Sequence, residues 1–287
     1  MHRKPLLLLT LLASMLGGLL LTPTPGVSAA SPGWLVRCPL SHTAPEDPIT
    51  MPGTPGGAHN HDFFGNTSTG AFSTQAGMSA SATTCGTAAD SAAYWIPTLV
   101  RKGATVRPAG SYAGRSTRQQ IYYRDNAVSA GTPVEPFPAD LRMIAGSSRA
   151  GSAAENPQLG RELYWGCSDN SVSGKPTAPV DCASGIVTLH VGFPSCWNGV
   201  LSHRDDTANM AYPSGGRCPA AFPRVLPRLI ERFEYPVGTS SAGLTLSSGP
   251  TWTVHADFWN TWQQPALAGL VERCLNRDTD CGTNPAT

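Results

Sequence analysis

The segment Thr251-Trp252-Thr253-Val254-His255-Ala256-Asp257-Phe258-Trp259 alternates apolar and polar side chains along its length. Successive side chains of a β-strand point to opposite faces, so a period of two residues is typical of a strand. The segment therefore predicts a β-strand over residues 251–259. Its polar face carries His255 and Asp257, and its apolar face carries Trp252, Val254, Ala256 and Phe258.

Shorter segments of the same kind recur along the chain and predict further strands. They run from Tyr94 to Val100, Gln120 to Arg124, Ile186 to Phe193 and Arg232 to Val237. The 30 glycines and 26 prolines are spread throughout, which favours short strands joined by turns and long loops. Apolar residues recur at helical spacing only near the end, from Leu267 to Cys274. We therefore predict a mostly β chain that forms a single antiparallel β-sandwich or jelly-roll-like domain with one short C-terminal helix.

The N-terminus has the pattern of a secretory signal peptide. Arg3-Lys4 precedes an apolar run from Leu6 to Leu21, and small residues follow at Val27-Ser28-Ala29-Ala30. A membrane anchor fits less well, because the run is barely long enough to span a bilayer and contains two adjacent glycines. We therefore predict a signal peptide over residues 1–30, a single domain over residues 31–287 and a secreted, extracellular protein.

The cysteines indicate disulfides. An even number of cysteines in an exported chain is typical of a disulfide framework, and the C-x-x-C pairs of a metal site are absent. Short separations favour the pairs Cys167–Cys182 and Cys274–Cys281, and Cys38–Cys85 would tie the N-terminal arm to the body. Spacing alone leaves the pairing open. The eight cysteines expected to form four disulfides are Cys38, Cys85, Cys167, Cys182, Cys196, Cys218, Cys274 and Cys281.

The charge balance argues against some partners. The chain has 20 lysines and arginines against 19 aspartates and glutamates. It therefore lacks the basic surplus that nucleic acid or an anionic membrane surface would attract. We expect neither as a partner once the signal peptide is removed, and the sequence does not indicate an oligomeric state.

The segment Ala58-His59-Asn60-His61-Asp62 carries the strongest chemical signal. If it is extended, His59 and His61 point to the same face, with Cα atoms roughly 7 Å apart. Together with His255 of the predicted strand, the two imidazoles would form a polar site. The candidate catalytic residues are His59, His61, Asp62, His255 and Asp257, with the two aspartates orienting the rings.

The chemistry of these histidines stays open at this point. Three imidazoles with a free fourth position suit zinc, so a divalent metal at His59, His61 and His255 is one interpretation. The H-x-H spacing alone is a weak signal, and no H-E-x-x-H motif accompanies it. The sequence therefore assigns no metal ligands, and acid/base catalysis by a His/Asp pair without metal is the other interpretation.

Four aromatic residues are candidates for holding a sugar. Flat rings beside polar groups often form the floor of a carbohydrate groove, since they can stack on the faces of sugar rings. The alternative is that these large side chains fill the core. The candidates for substrate binding are Trp95, Trp197, Tyr212 and Trp259.

Several segments together resemble one family, the exported bacterial and fungal proteins with a DUF1996 domain. Jointly they are specific, since they occur in order across nearly the whole mature chain. The resemblance implies export, disulfides and a single domain, but no mechanism. Some fungal members carry an added sugar-binding module of cell-wall type, which points toward glycans. The segments are Asp47-Pro48-Ile49, residues 59–66, Tyr94-Trp95-Ile96-Pro97, residues 193–199, Met210-Ala211-Tyr212-Pro213, Cys218-Pro219 and residues 255–258.

The chain also departs from the family pattern. Asp205-Asp206-Thr207-Ala208-Asn209 stands where the family has Asp-His-Arg-Ser-His, and Phe222 stands where the family has a histidine after Cys-Pro. Three family histidines are therefore absent. Either they are not essential, or this member has altered or lost the family's activity.

Three functions are compatible with these features. The first is a secreted enzyme, a hydrolase or lyase, that acts on a polysaccharide or cell-wall glycan through a groove lined by histidine and aspartate. The second is a non-catalytic protein that binds a glycan or the cell wall. The third is a metal-binding structural protein.

Overall fold

The structure is a computed structural model that describes His2 and residues 32–108, 110–112, 115–117, 119–125, 132–202 and 208–287. The predicted signal peptide, apart from His2, lies outside the described residues, as do the departing family positions Asp205, Asp206 and Thr207. Within the described ranges, no helix is long and apolar enough to cross a bilayer.

Most of the described elements are short β-strands. In chain order they are β1 (Gly33–Val36), β2 (Leu40–Ala44), β3 (His61–Gly65), β4 (Ala93–Pro97), β5 (Leu99–Arg101), β6 (Ala104–Val106), β7 (Gly110–Tyr112), β8 (Arg115–Thr117), β9 (Gln119–Arg124), β10 (Arg142–Gly146), β11 (Leu163–Cys167), β12 (Ile186–Gly192), β13 (Cys196–Trp197), β14 (Met210–Ala211), β15 (Arg224–Val225), β16 (Arg228–Pro236), β17 (Leu244–Leu246), β18 (His255–Trp259) and β19 (Asp280–Thr283).

The helical elements of the described residues are few and short. Helix α1 spans Gln75–Ser79 and helix α2 spans Gln264–Leu270, which continues into a π-helical turn over Val271–Leu275. Single 3-10 turns lie at Ala153–Glu155 and Thr251–Thr253. The predicted C-terminal helix is confirmed. Its start agrees with the fixed φ of Pro265, which suits the first turn of a helix.

Two sheets dominate the described part of the chain. One has six strands in the order β11-β12-β16-β9-β1-β19, and the other has five in the order β10-β18-β4-β3-β2. Neighbouring strands are antiparallel except for β1 and β19, which pair in parallel.

Apolar side chains from both sheets fill the space between them. The rings of Phe64 on β3 and Phe233 on β16 lie 5.0 Å apart, and both are fully buried. Burial of such side chains from two facing sheets is what stabilises a β-sandwich. The predicted mostly β, antiparallel architecture is therefore confirmed, with β1–β19 as a parallel exception.

The predicted strand at 251–259 is shorter and more buried than its sequence pattern suggests. Residues 251–253 form a 3-10 turn, and β18 begins at His255. All five residues of β18 are buried, because the strand lies inside the five-stranded sheet and its second face is also covered. This second face is covered by Ile49 and Met78, which pack against Phe63, Trp95 and Trp259. The polar face of β18 is therefore internal.

The eight cysteines form four disulfides. The pairs Cys167–Cys182 and Cys274–Cys281, which their short separations favour, are present, as is Cys38–Cys85, and Cys196–Cys218 is the fourth. Disulfides of this number are typical of proteins that fold in an oxidising compartment, and each typically stabilises a fold by roughly 2–4 kcal/mol.

Candidate metal centre

Three neighbouring strands bring His61 and His255 to one face of the five-stranded sheet. His61 on β3 is in register with Pro97 on β4, and Asp257 on β18 is in register with Trp95 on β4. Continuing the second register by two residues places His255 beside Pro97. The two histidines thus flank a compact proline on strands whose backbones are roughly 10 Å apart, and their rings reach toward each other above it.

His59 completes a cluster of three imidazoles. It precedes β3, and its Nε2 atom lies 3.3 Å from Nε2 of His255. Nε2 of His61 also lies 3.3 Å from Nε2 of His255. One ring nitrogen from each of the three residues falls within 4.8 Å of the other two. His61 and His255 are buried, whereas His59 is partly exposed, so solvent reaches the cluster on the His59 side.

Backbone carbonyls fix the orientation of the two buried rings. Nδ1 of His61 donates a hydrogen bond to the carbonyl oxygen of Glu46 at 2.8 Å, and Nδ1 of His255 donates to that of Thr253 at 2.9 Å. A carbonyl oxygen can only accept, so the proton of each neutral ring is on Nδ1 and the lone pair is on Nε2. Both lone pairs therefore point into the cluster.

Burial keeps these rings neutral. It lowers the pKa of His255 to about 3, and it lowers the pKa of His61 well below its ordinary value, with a further contribution from the neighbouring His255 and His59. Burial also lowers the pKa of His59. Neutral imidazoles are the form that binds metal ions.

Two aspartates lie beside the histidines. An Oδ2 atom of Asp257 is 4.0 Å from Nε2 of His255, and ligand atoms of Asp47, His61 and Asp257 fall within 4.8 Å of one another. Burial raises the pKa of Asp257 well above its ordinary value, and the nearby carboxylates of Asp47 and Glu231 raise it further. His255 and Asp257 thus share one face of β18, as the sequence predicts, and that face is buried.

Asp62 has a different position from the one predicted. It follows His61 on β3, so its side chain points to the opposite face of the sheet. There its Oδ1 atom accepts hydrogen bonds from the hydroxyls of Thr43 and Thr98 at 2.7 and 3.0 Å, and Arg107 lies 3.6 Å away. Asp62 is therefore not placed to orient an imidazole, and the two backbone carbonyls perform that task.

The predicted sugar-binding aromatics separate into two groups. Trp95, Trp197 and Trp259 are buried, and the guanidinium of Arg224 covers the ring of Trp197 at 4.4 Å. These three rings fill the core, so they present no open face on which a sugar could stack. Tyr212 is only half-buried, and its hydroxyl donates to the carbonyl of Gly192 at 2.9 Å.

Sequence reasoning missed the groups that hold the histidines in place. Asp47 accepts hydrogen bonds from the backbone N–H groups of Ile49 and Thr50 and from the Thr50 hydroxyl, which fixes the turn next to Glu46. An aspartate followed by proline is a turn signal, and this signal was available at Asp47-Pro48. By contrast, the sequence does not indicate which backbone carbonyls orient the histidine rings, because every residue has such a group.

The fold and the site define a disulfide-braced β-sandwich with a cluster of histidines on one sheet. The sequence model of a family described as a domain of unknown function (DUF1996) matches residues 47–262. This match covers well over half of the chain, so the chain belongs to that family, as its motifs predict. The matched range contains the three histidines and Asp257. Comparisons with curated proteins and with solved structures found no match.

Proposed function

We propose that the protein binds one divalent transition-metal ion through the Nε2 atoms of His59, His61 and His255. The observation that carries this proposal is the convergence of the nitrogen lone pairs of His61 and His255 at 3.3 Å, with both tautomers set by backbone carbonyls. Two lone pairs that face each other repel unless a cation or a proton lies between them.

The distances fit a metal ion. In a tetrahedral site with metal–nitrogen bonds of about 2.0–2.1 Å, neighbouring ligand atoms are about 3.3–3.4 Å apart. The Nε2 atoms of His59 and His61 each lie 3.3 Å from Nε2 of His255. Donation of the second ring nitrogen to a backbone carbonyl is the usual arrangement around metal-bound histidines.

The donor set limits the kind of ion. Imidazole suits zinc, copper, nickel and iron, whereas calcium and magnesium prefer oxygen ligands. An ion at this position would join the segment before β3, β3 itself and β18, and β3 and β18 are not adjacent in the sheet. Binding would therefore add a cross-link within the sheet, and we propose that the protein is exported and uses the ion to brace its fold.

Uptake of zinc is the first expected result. Protein freed of metal by a chelator and then dialysed against zinc should retain one ion per chain, and its melting temperature should rise with zinc concentration, because a ligand bound to the folded state stabilises it. Elemental analysis and calorimetry measure the two quantities. Retention of no zinc, copper, nickel or cobalt above the level of a protein without clustered histidines would contradict the proposal.

Glycan binding is a second candidate function, supported by one cavity. Tyr212 lines a cavity of about 370 Å³ together with Glu162, Lys175 and Arg228. Arg228 donates to the carboxylate of Glu162 at 2.6 Å, so the wall is charged and ordered. An aromatic ring beside such polar groups suits a sugar, and the basic side chains favour one that carries a carboxylate. Cleavage of a wall polysaccharide stays a prediction from the sequence.

This second candidate predicts a loss of affinity on removal of the Tyr212 ring. If the cavity binds wall-type oligosaccharides, Tyr212→Ala should weaken binding about fivefold or more, because an aromatic contact is worth roughly 1 kcal/mol. Tyr122→Ala on β9 is a matched control, since Tyr122 does not line the cavity. Calorimetric titration with neutral and uronate hexasaccharides measures the effect. Equal affinities of the two variants would exclude the cavity as the binding site.

A further inference from the structure

We infer that Asp257 supplies a fourth protein ligand to the ion that the three histidines bind. This inference rests on the proposed function. It adds a negatively charged ligand, which would take the fourth coordination position of the ion. Three observations on Asp257 support it: its distance from His255, its burial without a partner, and the contrast with the other carboxylates nearby.

The distance allows one ion to contact both side chains. Two atoms bound to the same ion at about 2.1 Å cannot be more than about 4.2 Å apart. Oδ2 of Asp257 lies 4.0 Å from Nε2 of His255, inside this limit but beyond the tetrahedral separation of about 3.3–3.4 Å, so the Asp257 side chain would turn toward the histidines when the ion binds. Asp257 follows His255 by two residues on β18, so both side chains leave the strand on the same face.

Asp257 is buried without a described group that would stabilise the charge of its carboxylate. The residue is fully buried, and neither carboxylate oxygen has a hydrogen-bond partner among the residues that the structure describes. A buried carboxylate is costly unless it is paired, hydrogen-bonded or bound to a metal. A divalent ion next to His255 would provide this compensation.

Of the other buried carboxylates near the site, Asp47 and Asp62 already have partners, and Glu231 lies on β16 of the other sheet. Asp47 accepts three hydrogen bonds within its own turn. Asp62 accepts from two threonine hydroxyls on the opposite face of β3. Asp257 is thus the carboxylate beside the histidines whose lone pairs are free for an ion within the described structure.

A fourth protein ligand changes what the centre can do. Sites in which four side chains bind zinc are typically structural, whereas catalytic sites keep one position for water or substrate. Three neutral imidazoles and one carboxylate leave a net charge of +1 on the centre and, once Asp257 has turned toward the ion, fill four coordination positions. The inference therefore favours a structural ion and argues against a zinc-bound water as a nucleophile here.

Replacement of Asp257 tests the inference. Asp257→Asn keeps the size of the side chain and removes its charge, and it should weaken zinc binding about a hundredfold or more, since loss of even an outer-shell partner costs 10–100-fold. Asp62→Asn is the matched control, because Asp62 is a buried aspartate of the same sheet. The Asp62→Asn protein should bind zinc as tightly as the wild type. In the cobalt-substituted protein, Asp257→Asn should also shift the visible absorption bands, which Asp62→Asn should leave in place.

The outcomes separate this inference from the proposed function. If the wild type takes up no metal, both fail. If the wild type binds one ion but Asp257→Asn binds it equally tightly with unchanged cobalt bands, only the fourth ligand is overturned. Should the variant not fold, a crystal structure of the zinc-loaded wild type decides: a zinc–Oδ distance of about 2.0–2.2 Å at Asp257 supports the inference, and a water between zinc and carboxylate overturns it.

Discussion

His255→Ala is expected to weaken zinc binding by at least about a hundredfold. Nε2 of His255 lies 3.3 Å from the Nε2 atoms of both other histidines. Its loss leaves only two of the three ligand nitrogens at the site. Structural zinc sites bind with about 10–16 kcal/mol, or roughly 3 kcal/mol for each of four ligands, which corresponds to a loss of at least about a hundredfold. Competition against a chromophoric chelator measures the affinity.

His190→Ala is the matched control for this experiment. His190 is a half-buried histidine on β12 of the other sheet, where its ring stacks on Tyr164 at 4.5 Å. Its removal deletes a partly buried imidazole without touching the cluster. Equal zinc affinity in the two variants, or unchanged affinity in His255→Ala, would show that the ion binds elsewhere.

Glu231→Met is expected to stabilise the protein. Glu231 lies on β16 between the two sheets, on the same face as the buried Leu229 and Phe233. Neither of its carboxylate oxygens has a hydrogen-bond partner within the described residues. Burial of an unpaired polar group costs about 1–3 kcal/mol, so an apolar side chain of similar length should raise the free energy of unfolding by about that amount.

The gain should depend on pH. Burial raises the pKa of Glu231 well above its ordinary value of 4.5. Between the two pKa values, the folded state therefore keeps a proton that the unfolded state has released. The free energy of unfolding is highest below the unfolded pKa and falls as the pH rises toward the folded pKa, with a limiting slope of about 1.4 kcal/mol per pH unit. Glu231→Met should remove this slope, so its advantage grows from pH 5 upward.

Glu234→Met on the same strand is the matched control. Glu234 points to the other face, where its carboxylate accepts from Arg232 at 2.6 Å. Its replacement should be neutral or destabilising at every pH. Urea unfolding from pH 4 to pH 8 compares the two variants. A Glu231→Met protein that is less stable than the wild type throughout this range would show that the carboxyl group has a partner that stabilises it.

Sequence patterns predicted the architecture and the members of the histidine cluster. The H-x-H spacing and the alternation at residues 251–259 were sufficient to nominate His59, His61 and His255, and the structure brings their ring nitrogens together. Alternation could not predict that both faces of β18 are covered, because covering depends on the distant residues Ile49 and Met78. The same long-range packing buries Trp95 and Trp259, which sequence reasoning assigned to a sugar.

Other features depend on geometry that residue type does not encode. Asp62 is adjacent to His61 in sequence, yet the alternation of a strand sends its carboxylate to the opposite face. The carbonyls of Glu46 and Thr253 orient the rings, and every residue carries such a group. The pairing of Cys196 with Cys218 likewise follows from the tertiary fold, since spacing permits many pairings.

Anomalous diffraction at the zinc edge tests the central claim most directly. Crystals of the wild-type protein grown with zinc should show one strong anomalous peak about 2.0–2.1 Å from Nε2 of each of His59, His61 and His255. A map with no peak among these three nitrogens, from crystals in which the rings keep the arrangement described above, would contradict the account.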